Sequence, residues 1–136
     1  MSIEQIINST KTIAIIGLSS TQYRTSHQIG RYLFDEGFTI IPVNPNEESV
    51  FGLKSYKSLA DLPNDLVIDI VDIFRNSQYT ADMVREIIEW SEDTGQKPVI
   101  WTQIGVSSDE AKKIAEENDF RYIEDKCLMV EHQRVG

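Results

Sequence analysis

Thr12-Ile13-Ala14-Ile15-Ile16-Gly17 is the stretch on which the fold turns. Threonine and the three isoleucines are stiff at χ1 and suit a pleated strand. The block shows no polar alternation, as expected of a strand buried on both faces. Gly17 then lets the chain turn sharply off the strand end. Beyond it, Ile29, Tyr32 and Leu33 fall at i, i+3 and i+4, which predicts a helix over 26–36 stopped by Gly37. Phe38–Val43 is a second apolar run, closed by Asn44-Pro45-Asn46. Two buried strands joined by a helix pair in parallel, since the helix is the crossover.

The same alternation continues in both directions. A short helix at 3–9 precedes the first strand, and a helical turn at 58–62 precedes Pro63. Residues 66–74 form the third strand. The longest helix is predicted at 77–94, with Met83, Val84, Ile87, Ile88 and Trp90 on its apolar side and Gly95 at its end. Pro98–Thr102 is the fourth strand. Ser107-Ser108-Asp109-Glu110 reads as a capping box before a helix at 108–118, and Phe120–Glu124 is the fifth strand. The expectation is a single α/β domain over residues 1–136: a Rossmann-like, doubly wound, mainly parallel five-stranded sheet of order 3-2-1-4-5 with helices on both faces. Its ligand site would lie beyond the C-terminal strand ends, at the switch between strands 1 and 4.

Composition narrows the function classes. The chain has 136 residues, 40% hydrophobic and 26% charged, a globular balance. Its aliphatic runs fall far short of the roughly 18 residues that span a bilayer, so no membrane association is expected. The start, Met1-Ser2-Ile3-Glu4-Gln5, lacks a basic leader region. With 13 Lys+Arg against 22 Asp+Glu the net charge is −9, and no basic stripe offers a nucleic-acid surface. One cysteine and two histidines exclude an internal disulfide and give too few ligands for a structural zinc. No metal site and a reducing, cytoplasmic setting are therefore expected; no protein partner is indicated. An anionic ligand would be repelled at long range, so local donors would have to hold it.

Those donors follow the first strand: Gly17-Leu18-Ser19-Ser20-Thr21-Gln22-Tyr23-Arg24-Thr25-Ser26-His27. Serine hydroxyls and backbone N–H groups at a helix start suit phosphate oxygens, and Arg24 adds a charge-assisted donor. The dinucleotide fingerprint would need glycine at 19 and 22, where Ser19 and Gln22 stand, and an acid at the end of strand 2, where Asn44 is neutral. Both departures disfavour the alternative reading, an NAD(P)-dependent oxidoreductase or other nucleotide-binding enzyme on this fold. Phe74 and Arg75 could wall a ligand after strand 3, and the end of strand 4 could present Gln103 to the crevice; Trp101 reads as core. No nucleophile elbow or carboxylate pair appears, since Asp69 and Asp72, three apart on a strand, face opposite sides. No catalytic residue is assigned, and the chain is expected not to be an enzyme. Cys127, beside Lys126, follows strand 5 and can approach the crevice.

These residues resemble the small stand-alone CoA-binding domain proteins. The likeness runs through Ile13-Ala-Ile-Ile-Gly17-Leu-Ser19, Arg24-Thr-Ser26, Val43-Asn44-Pro45, Gly52, Ser58 to Pro63, Asp69 to Arg75, Trp101 to Gly105 and Cys127 to His132, essentially the whole chain. The fold is similar to the CoA-binding domain of the succinyl-CoA synthetase α subunit. The resemblance implies that coenzyme A or an acyl-CoA is the ligand. It implies that Gly17, Ser19, Ser20 and Arg24, with Ser26 following, hold the phosphates. Asn44 and Pro45 would lie by the adenosine end, and Asp72, Phe74, Arg75 and Gln103 by the pantetheine arm. Many relatives carry proline where this chain has Thr25, so its phosphate loop is less rigid. The synthetase's phosphorylated histidine belongs to a second domain, for which this chain has no room. The expected role is thus a non-catalytic carrier, sensor or protector of the CoA thiol, with Cys127 a candidate thiol partner.

Overall fold

A computed structural model of the chain describes residues 1–135; Gly136, the last residue of the expected domain, lies outside them. The elements are α1 (Ile3–Ser9), β1 (Thr12–Ile16), α2 (Thr25–Asp35), β2 (Thr39–Val43), the two-residue strands β3 (Ser49–Val50) and β4 (Leu53–Lys54), a 3-10 turn (Leu59–Asp61), β5 (Ile70–Ile73), α3 (Ser77–Thr94), β6 (Val99–Thr102), α4 (Asp109–Glu117), β7 (Tyr122–Ile123) and α5 (Leu128–Val135). Five strands form one sheet, every pairing parallel; β3 and β4 make a separate antiparallel hairpin.

The sheet order is β2-β1-β5-β6-β7. Counting the five main strands along the chain this is 2-1-3-4-5, which corrects the expected 3-2-1-4-5. The third strand pairs with the first and not with the second, and two features of the sequence explain why. Pro42 accepts the Tyr56 N–H on the outer edge of β2 at 3.0 Å, so the proline's missing donor lies on that edge and a further full strand cannot be laddered there. The edge is closed instead by a single bridge between Val43 and Tyr56. By contrast, Ile70-Val71-Asp72-Ile73 is buried at all four positions, as only an interior strand is. The switch point therefore lies between β1 and β5.

Alternation along the strands divides the core in two. Ile13, Ile15, Ile70 and Trp101 pack under α1, α2 and α5 through Ile6, Ile29, Leu33 and Leu128. Ala14, Ile16, Val71, Ile73 and Ile100 face α3 and α4 through Val84, Ile87, Ala111 and Ala115. Helices thus cover both faces, as expected of a doubly wound sheet. At the N-terminal end of the sheet, one oxygen of Asp69 accepts the N–H groups of Lys11 and Thr12, each at 2.9 Å. This clamps the entry of β5 to that of β1 and leaves the opposite rim to the loops.

The cap of α4 is Ser108, whose side chain accepts from the Ala111 N–H, while the Ser107 hydroxyl meets Tyr122 and Glu124. Asn76 is the cap residue of α3, and Gly95 ends that helix at φ 74°. The hairpin β3–β4 and helix α5 were not anticipated.

A cleft at the switch point as candidate ligand site

A cleft of about 670 Å³ opens where β1 and β5 part, within the range of small-molecule sites. Gly17 sits at its base with φ 88°, and its N–H donates to the Val43 carbonyl at 2.8 Å. No L side chain fits there: a Cβ would collide with the Phe74 carbonyl oxygen arriving from β5. Gly30, one turn into α2, packs against the Leu18 side chain and keeps the helix close to the sheet.

The loop from Leu18 to Arg24 is held by its own side chains. Ser26 Oγ accepts the Ser19 N–H at 3.0 Å, Ser19 Oγ accepts the Thr21 N–H at 3.0 Å, and Asn44 donates to the Leu18 carbonyl at 3.0 Å. Both serine oxygens accept loop N–H groups in these bonds, which leaves their own O–H groups free to donate to a phosphate. Further open donors lie one step on. α2 starts at Thr25, its cap residue is Arg24, and no side chain caps it. The first helical bond runs from the Gln28 N–H to the Arg24 carbonyl. The preceding N–H groups of Thr25, Ser26 and His27 therefore make up an uncapped positive helix end beside the cleft that Arg24, Thr25 and Ser26 line. Arg75 closes the other side, its guanidinium 5.2 Å from the centroid of the Tyr79 ring. An open helix end between two arginines fits a diphosphate.

Of the expected ligand residues, Gly17, Ser19, Arg24, Ser26, Asn44, Phe74, Arg75 and Gln103 line this cleft, and so does Cys127. Three do not. Ser20 turns aside, giving its N–H and its hydroxyl to Glu47 at 2.7 and 2.8 Å. Pro45 borders an adjoining hollow of about 160 Å³ with Lys57 and Arg75. Asp72 lies beneath the floor, fully buried, with Gln103 Nε2 donating to both of its oxygens at 3.0 Å. Burial pushes the Asp72 carboxyl up to about 8, opposed by the Gln103 bond. Asp72 thus holds Gln103, and Gln103 is the group that meets the cleft.

The sequence reading missed Glu47, Asn46, Asn76 and Ile104 on the walls. The polar run after β2 was the available signal, because that segment borders nucleotide sites in doubly wound sheets. Both histidines make contacts within the fold. His27 Nδ1 lies 2.9 Å from the Ser19 carbonyl and its ring meets Phe51 edge-on. His132 joins α5 to α2 through the Tyr32 hydroxyl at 2.7 Å. Trp101 is core, its indole donating to the Lys126 carbonyl at 2.8 Å, which holds the segment carrying Cys127 against β6.

Comparison with known proteins agrees with this architecture. Residues 11–133 match a family described as CoA binding domain. The uncharacterized protein YneT of Bacillus subtilis is 36% identical over 130 residues, 96% of this chain and 91% of YneT. An ADP-forming acetate–CoA ligase of Methanocaldococcus jannaschii is 26% identical over 137 residues, covering 96% of this chain but 19% of the ligase. A solved structure from Thermus thermophilus superposes with a TM-score of 0.88 at 31% identity, covering 100% of both chains. No helix among the described residues is long and apolar enough to cross a membrane. Sheet, cleft and sequence lead to one assignment: the chain belongs to the CoA-binding domain family.

Proposed function

We propose that the cleft binds coenzyme A or an acyl-CoA and that the chain acts as a non-catalytic carrier, sensor or protector of the CoA thiol in the cytoplasm. The observation that carries this reading is the uncapped start of α2 flanked by Arg24 and Arg75. It supplies local donors for a diphosphate on a chain whose net charge of −9 would otherwise repel one. In this reading Gly17, Ser19, Arg24, Thr25 and Ser26 surround the phosphates. Asn44 and Pro45 lie toward the adenosine, and Phe74, Arg75 and Gln103 toward the pantetheine arm. Family membership supports the ligand class over a hydride carrier.

Cys127 gives the protector role its chemistry. It lines the cleft and is partly exposed. With an oxidant such as diamide, the Cys127 and CoA sulfurs join in one S–S bond. The two thiol protons and two electrons pass to the diamide, which becomes the hydrazine. Thermal stability with CoA, acetyl-CoA, NAD, NADP and ATP, each at about 1 mM, tests the ligand. Saturation to 100 times the dissociation constant adds about 2.7 kcal/mol, a rise of several degrees for a domain of this size. A shift with NAD or NADP and none with CoA would refute the reading. Intact mass after diamide and CoA tests the thiol, with Cys127→Ser as control; bound CoA without an adduct would remove that role.

A further inference from the structure

The segment leaving β2 reads Asn44-Pro45-Asn46-Glu47-Glu48-Ser49, without a lysine or arginine. Glu47 lines the cleft and is fixed there by the Ser20 N–H at 2.7 Å and the Ser20 hydroxyl at 2.8 Å. A carboxylate has about four acceptor positions, so two donors leave capacity for a further one. In doubly wound sheets the segment after the second strand meets the nucleotide ribose, where an acid accepts from free hydroxyls. Toward a phosphorylated ribose the same acid is repulsive, because a phosphate monoester carries about −1.5 to −2 charges at neutral pH.

Charge matching points the same way. Among the described residues, the cations lining the cleft are Arg24 and Arg75. They match the single charge on each phosphate of a diphosphate bridge and leave none for a third phosphate. Lys57 borders the adjoining hollow and not this cleft.

We propose that Glu47 determines specificity at the ribose, selecting an ADP-type ligand with both ribose hydroxyls free, and hence dephospho-CoA over CoA. The proposal rests on the reading of the cleft as a site for CoA-type nucleotides. Ser20 is a positioning residue in it, holding the carboxylate over the cleft from the neighbouring loop.

Calorimetric titration of the wild type, Glu47→Gln and Glu47→Lys with CoA and with dephospho-CoA, at one fixed ionic strength, tests it. The wild type should bind dephospho-CoA roughly tenfold more tightly, the scale of a like-charge contact at a partly wet site. Glu47→Gln keeps the acceptor and removes the charge, and should bring the ratio near unity; Glu47→Lys should reverse it. Wild type binding CoA as tightly as dephospho-CoA, or an unchanged ratio in Glu47→Gln, would overturn the role of Glu47 while leaving the cleft a CoA site. Binding of neither compound to the wild type would overturn the nucleotide reading itself. The wild-type ratio needs no variant, and matched thermal melts establish that both variants are folded.

Discussion

Replacing Gly17 with alanine should be far more damaging than replacing Gly37, although both glycines sit at positive φ, 88° and 97°. At Gly37 nothing lies near an added Cβ, so the cost is backbone strain alone, about 1–2 kcal/mol for an L-residue in that region. At Gly17 the same strain applies, and the Cβ also strikes the Phe74 carbonyl oxygen. That oxygen is backbone at the end of β5, and the Phe74 N–H is bonded to the Ile16 carbonyl at 2.8 Å, so relief requires parting two central strands. Overpacking of this kind adds about 1–3 kcal/mol, for a total near 2–5 kcal/mol. Alanine stiffens the unfolded chain equally in both variants, so that contribution cancels in the comparison. Urea unfolding followed by circular dichroism reads the difference directly. At roughly 4 °C per kcal/mol for this chain length, Gly17→Ala should melt about 8–20 °C below wild type. Equal losses in the two variants would show that β1 and β5 do not approach as closely as described, and the geometry of the cleft floor would fall with them.

Other outcomes follow from the same cleft. Arg24→Ala should weaken CoA binding about tenfold or more, the worth of a charge-assisted bond, and leave the ligand-free melting temperature within a degree or so because the residue is exposed; an unchanged affinity would remove Arg24 from the site. Gly30→Ala places its Cβ 2.6 Å from Leu18 Cδ1, and since Leu18 is fully buried it should cost about 1–3 kcal/mol in a urea titration; a neutral result would show that Leu18 has room to move. Asp72 is raised from an ordinary carboxyl near 3.8 to about 8 by burial. Below the lower value both states are protonated. Between the two, the unfolded chain ionises while the folded one keeps its proton, so stability falls as pH rises across that window. Asp72→Asn should remove this decline, and urea midpoints at acid, neutral and mildly alkaline pH that run parallel in the two proteins would refute the assignment.

Much of the architecture was legible because it is local. The Thr12–Ile16 block, the helix faces around Leu33 and Ile87, and the glycines at 17 and 95 carry their structures in short patterns. The strand order was not, since it turns on which edge of β2 Pro42 disables, a fact of register that no periodicity reveals. Helix α5 hid because its eight residues bury one side chain fully, Leu128, too little for an amphipathic stripe. At the cleft, residue types were found more readily than their allegiances. Ser19 and Ser26 line the cleft as expected, and their oxygens also accept the N–H groups that shape the loop. Ser20 answers to Glu47, 27 residues away, and Asp72 supports Gln103 from below. Such long-range pairings decide which donors stay open, and they appear only once the loops are folded side by side.

The Asp69 clamp at the opposite end of the sheet has a consequence for how such a domain can change over generations. By tying the first and third main strands together away from the ligand, it places the contacts that register the sheet where selection on binding does not reach. The rim loops can then exchange residues, lengthen or reverse charge, as at Glu47, without the sheet having to find its pairing anew. A scaffold with its registration at one end and its chemistry at the other can drift among related coenzymes by single substitutions, each tested on binding alone.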